Sequence, residues 1–152
     1  MNEESLMQKK YVKIGFYVGV VLVAYFGNVA LQSHWGRQAV EATGLEILSL
    51  EQALTKAKAE NKLVLADLSA IWCASCRKFD EKVLSDARVR AAVQRDFVFA
   101  RIEYESEAGT AFAEKYKVSG FPNLLILDSE GTMKRHLDLT FEPERFLTQL
   151  ER

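Results

Sequence analysis

The hydrophobic positions divide the chain into one long apolar run and a series of shorter segments with helix or strand periods. The run covers residues 14–31, which contain no charged residue. As a helix with a rise of about 1.5 Å per residue it would span about 27 Å, close to the hydrocarbon thickness of a bilayer. The pattern therefore predicts a transmembrane anchor over 14–31, preceded by a short segment over 1–13.

The charges that flank this run predict its orientation. Three lysines lie before it, whereas Arg37 is the only lysine or arginine in the fifteen residues that follow it. The positive-inside rule then places 1–13 in the cytoplasm and the rest of the chain outside the cytoplasmic membrane, in the periplasm of a two-membrane bacterium. A cleaved signal peptide is the alternative, but the run is long for one, and Asn28 stands where the cleavage motif needs a small residue.

Beyond the segment 32–48, which lacks a clear period and is interpreted as a linker or docking segment, helical and strand patterns alternate. Ser49 followed by Gln52 is typical of a helix N-terminus, and apolar positions at helical spacing continue to residue 60. The nearly continuous apolar run 63–68 is typical of a buried central strand. Further helices are expected over 73–84, 86–94, 108–116 and 142–150, and further strands over 97–104, 123–127 and 133–139.

The order of these elements predicts the fold class. A strand that leads through a helix into the next strand favours a parallel pair, whereas the turn signal at 129–132 favours a hairpin between the last two strands. We therefore expect residues 49–152 to form one α/β domain, a sandwich with a central mixed sheet flanked by helices.

Composition excludes several classes of protein. The 152 residues are 49% hydrophobic and 27% charged, which is typical of a folded domain and excludes wholesale disorder. The net charge of −1 gives no basic excess, so no nucleic-acid partner is expected. Charged residues such as Glu103 and Glu105 are expected on solvated faces. Two cysteines are too few for a disulfide-rich mini-protein or a four-thiolate zinc site.

The two cysteines form a single Cys-x-x-Cys motif, Cys73 and Cys76, at the predicted start of a helix. A helix N-terminus stabilises a thiolate, and Cys76 lies one turn further along. In such a pair one sulfur attacks a disulfide and the other resolves the mixed disulfide. We expect Cys73 to attack and Cys76 to resolve, with no cofactor besides their own disulfide. A structural disulfide or half a metal site are the alternatives. Only His34 and His136 could add imidazole ligands, so no metal is expected.

Residues around this motif favour redox chemistry. Asp67 lies in the apolar strand six positions before Cys73, where burial would raise its pKa and suit it to proton transfer. Trp72 directly precedes Cys73, and Pro122 follows Phe121 just before a predicted strand. In order and spacing these residues resemble the thioredoxin superfamily.

The resemblance covers residues 46–152, the whole globular part. Within the superfamily, the stretch WCASCRKFDEKVLSDARV is similar to the C-terminal periplasmic domain of the DsbD family of thiol:disulfide interchange proteins. That similarity implies that Asp67 accepts a proton as Cys76 becomes a thiolate. It also implies that Asp80 is a second acidic group near the site.

The same resemblance implies a binding site for substrate. Pro122 would be a cis-proline, and Gly120 and Phe121 would offer backbone groups to an extended substrate segment, with Trp72 beside them. The dipeptide between the cysteines, Ala74-Ser75, differs from that of thioredoxin and from that of the strong oxidant of the superfamily, so it leaves the redox direction open.

As a whole, the resemblance implies a membrane-anchored thiol:disulfide oxidoreductase. Its partners would be thiols and disulfides of exported proteins and a membrane electron donor or acceptor, and the likeness to DsbD favours reduction of disulfides. One alternative is a thioredoxin-fold module that holds a client at the groove of Phe121 and Pro122, with incidental cysteines. Another is a copper(I) metallochaperone that uses the two thiolates.

Overall fold

A computed structural model describes residues 3–151, which fold into helices around one four-stranded sheet. The helices are α1 (Glu3–Thr43), α2 (Leu50–Glu60), α3 (Ala74–Phe79), α4 (Ala87–Asp96), α5 (Glu107–Tyr116) and α6 (Pro143–Leu150), and a π-helical turn (Asp80–Leu84) follows α3. The strands are β1 (Leu63–Ser69), β2 (Phe97–Glu103), β3 (Asn123–Leu127) and β4 (Met133–Leu137).

The sheet has the order β2-β1-β3-β4 and is mixed, as the sequence predicts. β1 and β2 are parallel, and β3 is antiparallel to both of its neighbours, β1 and β4. The expectation of a parallel pair across a helix is therefore confirmed for β1 and β2 but is wrong for β2 and β3. After α5 the chain passes through Lys117 in the left-handed conformation (φ 54°) and reverses before β3 begins.

Alternate residues of β1 face two different layers of helices, as the side-chain period of a strand requires. Val64, Ala66 and Leu68 pack with α2 and α5. On the other face, Leu65 packs with residues of the π-helical turn, α4 and α6. Asp67 has the same parity as Leu65, so this buried carboxylate faces the layer that holds the Cys-x-x-Cys helix.

Local signals account for most of the helix boundaries. Ser49 and Gln52 form the expected capping box at the start of α2, and Asn61 ends that helix in the left-handed conformation. The helix expected over 73–84 is regular only to Phe79. It then widens into the π-helical turn, in which the backbone N–H of Ser85 donates to the carbonyl of Asp80 over 2.9 Å. The wider turn directs Asp80 into the protein.

The segment expected to be an irregular linker or docking segment, 32–48, is helical as far as Thr43 and packs on α3 and the π-helical turn. The buried positions of this helical part, 32–43, are Gly36, Ala39 and Thr43, at helical spacing. Because these residues are small, they give no pattern of large apolar side chains that would predict the packed face. The earlier part of α1 is long and apolar enough to cross a membrane.

Candidate active site

Cys73 and Cys76 form a disulfide at the N-terminus of α3. Cys73 is the N-cap residue, and its Sγ accepts a 3.1 Å hydrogen bond from the backbone N–H of Cys76 and lies 3.1 Å from Oγ of Ser75. These donors stabilise negative charge on the sulfur of Cys73 in the reduced protein. Cys73 is 5% exposed and Cys76 is 1% exposed, so both are buried and Cys73 is the more exposed residue.

Asp67 is completely buried on the face of the sheet beneath α3. Its two carboxylate oxygens accept hydrogen bonds of 2.9 and 3.0 Å from the hydroxyl of Ser69. Burial raises the pKa of Asp67, whereas the charge of Arg101 and the hydrogen bond from Ser69 oppose that shift. The burial and raised pKa expected from the sequence are thus present, and the role of Asp67 as proton acceptor stays a prediction.

Arg101 is a buried cation that the sequence reasoning missed. It is opposite Asp67 in the register of β1 and β2, and its side chain is only 9% exposed. One guanidinium nitrogen, Nη1, lies 2.9 Å from Oδ1 of Asp80 and 3.7 Å from Oδ2 of Asp67. An arginine that follows the apolar run FVFA in its strand, next to a strand with a buried aspartate, is the signal that could have identified it.

Asp80 is buried in the π-helical turn and does not face solvent. Its Oδ2 has no hydrogen-bond partner among the residues that the structure describes. Burial raises the pKa of Asp80 to about 6, although the hydrogen bond from Arg101 favours the charged form. Two carboxyl groups that hold protons more tightly than usual therefore flank one guanidinium beneath the active-site helix.

Three aromatic rings form a surface beside the disulfide. Trp72 and Phe121 meet edge to face with ring centroids 5.5 Å apart, and Tyr104 lies 4.7 Å from Phe121. The peptide bond between Phe121 and Pro122 is cis, as predicted. Gly120, with φ +72°, is exposed, and apart from its chain neighbours no atom of the described residues lies within 4 Å of where its Cβ would be. We call Trp72, Tyr104, Phe121 and Pro122 the aromatic surface.

Two glutamates expected on solvated faces hold the loop that precedes Cys73. Oε1 of Glu103 accepts a hydrogen bond of 3.3 Å from the backbone N–H of Ile71, and burial raises the pKa of Glu103. Oε2 of Glu105 accepts a 3.1 Å hydrogen bond from the indole N–H of Trp72. Glu103 is partly buried, contrary to that expectation, whereas Glu105 is exposed as expected. Strand β2 and the loop after it thus supply two carboxylates that fix the active-site loop.

The histidines considered as extra metal ligands are not grouped with the two cysteines. His136 is exposed on β4, and its Nε2 lies 2.9 Å from Oδ1 of Asn123. Across residues 10–151, no three His, Cys, Asp or Glu side chains are grouped as metal ligands would be.

Comparisons with known proteins agree with this geometry. The DsbD thiol:disulfide interchange protein of Colwellia psychrerythraea is 29% identical over 135 residues, which are 77% of this chain and 22% of that protein. DsbD 2 of Pseudomonas aeruginosa is 34% identical over 94 residues, 61% of this chain and 16% of that protein. The chain thus spans less than a quarter of the length of either relative.

Among solved structures, the oxidised C-terminal domain of Neisseria meningitidis DsbD is 25% identical, with a TM-score of 0.57 over 64% of this chain and 86% of that one. A thioredoxin from Thermus thermophilus has the same fold, with 24% identity and a TM-score of 0.64 over 70% of this chain and 85% of that one. The model of a thioredoxin-like family matches residues 46–129, more than half of the chain, and the protein belongs to that thioredoxin-like family.

Proposed function

We propose that this protein is a membrane-anchored thiol:disulfide oxidoreductase that reduces disulfides of exported proteins through Cys73 and Cys76. The observation that carries the proposal is the Cys73–Cys76 disulfide at a helix N-terminus. Sγ of Cys73, the more exposed residue, accepts a hydrogen bond from the backbone N–H of Cys76, the less exposed one. The similarity to DsbD proteins, which are thiol:disulfide interchange proteins by name, supports it.

The exchange begins from the reduced protein. The thiolate of Cys73 attacks one sulfur of the substrate disulfide, that bond breaks, and the released substrate thiolate takes up a proton. Cys76 then gives its proton to Asp67 and attacks Sγ of Cys73. This step releases the second substrate sulfur, which also becomes a thiol, and forms the Cys73–Cys76 disulfide. In total the substrate gains two electrons from the cysteine sulfurs and two protons, one that Cys76 passes on through Asp67 and one from the solvent that had taken up the proton of Cys73.

The aromatic surface supports binding of an extended segment next to the disulfide. Phe121 and Pro122 precede β3, so their backbone groups are available to pair with a substrate segment, while the rings of Trp72 and Tyr104 flank it. We propose Gly120, Phe121 and Pro122 as the substrate-binding residues. A second membrane protein would return electrons to the Cys73–Cys76 disulfide after each turnover.

The apolar part of α1 supports membrane anchoring. Large side chains within residues 14–31 face outwards, with Phe16 68%, Val23 75% and Phe26 64% exposed. Exposure of a continuous apolar surface to water is strongly unfavourable, whereas a bilayer accommodates it. We propose that 14–31 spans the cytoplasmic membrane, with 1–13 in the cytoplasm and the thioredoxin-like domain in the periplasm.

The test of function and direction is the reduction potential of the full chain in detergent micelles, equilibrated against glutathione or dithiothreitol buffers. A potential at or below roughly −220 mV supports a reductant, since thioredoxins and glutaredoxins lie there. A potential near roughly −120 mV contradicts the direction, because that is the range of a strong oxidant. Absence of a reversible two-electron transition contradicts the enzymatic proposal and favours the client-binding module.

A further inference from the structure

The helix that contains the apolar run also contacts the loop that carries the catalytic disulfide. Gly36 of α1 is buried against Ile71, two residues before Cys73. A Cβ at position 36 would lie closer than 3.0 Å to the carbonyl oxygen of Ile71. Only glycine permits this approach, so the backbone of α1 lies directly against the active-site loop.

Further side-chain contacts join α1 to α3 and α4. Nη1 of Arg77, the residue after Cys76, donates a 2.6 Å hydrogen bond to Oε1 of Gln32. The guanidinium carbon of Arg77 lies 5.2 Å from the ring centroid of Trp35. Further along, Nη1 of Arg90 donates to the carbonyl oxygen of Thr43 over 3.2 Å. The helix therefore leaves the apolar run and docks on the domain without an intervening loop.

This continuity limits the distance between the disulfide and the apolar run. Gly36 lies five residues beyond Leu31, a rise of about 7.5 Å along a helix. Cys73 is two residues from Ile71, at most about 7 Å along the chain. The headgroup layer on one side of a bilayer is about 5–8 Å thick. Cys73 is thus held within roughly 20 Å of the hydrocarbon edge, close above the headgroups.

On the basis of the proposed function, we propose that α1 is a rigid spacer that fixes the height of the disulfide, and that Gly36 is the positioning residue. The substrate partner that fits this placement is an exported protein that is itself anchored in the membrane and whose disulfide lies at the lipid surface. The reduced Cys73–Cys76 pair gives two electrons and two protons to the disulfide of that partner, which becomes a dithiol. A cysteine pair far above the membrane lies out of reach.

The placement is tested by fluorescence in lipid vesicles. The chain has two tryptophans, so Trp35→Phe leaves Trp72, the neighbour of Cys73, as the only one and retains a ring beneath Arg77. In the full chain, lipids with a nitroxide on the headgroup should quench Trp72 at least 2-fold. Gly36→Leu should remove most of that quenching. Gly27→Leu is the matched control, because beyond its own stretch of helix no atom of the described residues lies within 4 Å of a Cβ at position 27.

A flexible insertion keeps the test informative if Gly36→Leu prevents folding. Four Gly-Ser residues between Leu31 and Gln32 leave every docking contact intact but uncouple the domain from the apolar run. Quenching of Trp72 should fall to less than half. Absence of quenching in the chain without the insertion, or quenching that the insertion does not change, contradicts the rigid spacer.

The partner is tested with one disulfide peptide in two forms on a transmembrane helix, either directly after the helix or after a 30-residue soluble spacer. The full chain should reduce the first form at least 10-fold faster, and the Gly-Ser insertion should abolish that preference. Equal rates for the unmodified chain contradict the partner assignment. A soluble disulfide peptide reports the basal activity separately. If the protein fails to reduce it, the proposed function is wrong, while the quenching measurement still decides the placement.

Discussion

Arg101 donates a 2.9 Å hydrogen bond to Oδ1 of Asp80 from a position almost closed to solvent, and this ion pair lies beneath the helix that carries both cysteines. The same guanidinium nitrogen is 3.7 Å from Asp67. One buried guanidinium therefore interacts with two buried carboxyl groups. Burial disfavours the ionised form of both carboxyl groups. The protonation of Asp67 and Asp80, and therefore the stability of the fold, depends on pH.

Replacement of Arg101 by methionine should destabilise the protein strongly at pH 8. The change leaves two buried carboxylates without their cation, and removal of one member of a buried pair costs about 3–5 kcal/mol. The loss should be smaller at pH 5, since Asp67 and Asp80 can then be protonated. Urea denaturation at both pH values measures the free energy of unfolding.

The matched control is Arg95→Met on α4. Arg95 pairs with Asp96 at the surface, where its side chain is 69% exposed, so its replacement should have little effect. A double variant, Arg101→Met with Asp80→Asn, should recover part of the stability lost in the single variant. Equal losses for Arg101→Met at pH 5 and pH 8 would contradict the electrostatic explanation.

Asp80→Asn should flatten the dependence of stability on pH between about 4 and about 6. In the folded protein the pKa of Asp80 is raised from 3.8 to about 6. In this window the folded state binds more protons than the unfolded state, so the wild-type free energy of unfolding falls as pH rises. At about 1.4 kcal/mol per pKa unit, the variant should remove at most about 3 kcal/mol of that fall. Unfolding curves at half-unit pH steps measure it, and an unchanged slope in the variant contradicts the assignment to Asp80.

Asp67→Asn should slow the second step of the exchange, because the amide cannot accept the proton of Cys76. General acid–base groups contribute about 100-fold or more, so a loss of about 100-fold in this step is expected. Quenched-flow samples should show accumulation of the mixed disulfide on Cys73. The first step, attack by Cys73, should keep its rate.

Ser69→Ala separates positioning from proton transfer at Asp67. Ser69 donates to both carboxylate oxygens and lowers the pKa of Asp67. Its removal should therefore shift the pH profile of the second step to higher pH, while the maximal rate is retained. A uniform loss of rate at all pH values in Ser69→Ala would indicate a merely structural role for this hydrogen bond.

The domain fold was predictable because its elements have strong local signals. The capping box of Ser49 and Gln52, the apolar strand 63–68 and the turn at 129–132 each specify local structure independently of the rest of the chain. The antiparallel direction of β3 was not predictable in this way, because it depends on the path of the loop after α5 and not on periodicity.

The positions of Cys73, Cys76 and Asp67 were accessible for a similar reason, since the spacing of the cysteines and the apolar neighbours of Asp67 are local features of the sequence. Arg101 was missed because its importance arises only when β2 pairs with β1 and places it opposite Asp67. The sequence left open whether residues 32–48 link or dock, because backbone contact through Gly36 replaces the large apolar side chains that sequence patterns detect.

The order of attack by the two cysteines can be tested by trapping. Cys73 is 5% exposed and Cys76 1%, so a substrate disulfide should reach Cys73 first. Cys76→Ser should therefore accumulate a stable mixed disulfide between Cys73 and substrate, since no second thiol remains to release it. Cys73→Ser, the matched variant, should form almost no adduct because the remaining thiol is buried. Non-reducing electrophoresis and mass spectrometry of the adduct identify the linked cysteine. Equal trapping by both variants would mean that the exposure difference does not determine the order, and trapping only by Cys73→Ser would reverse the two roles.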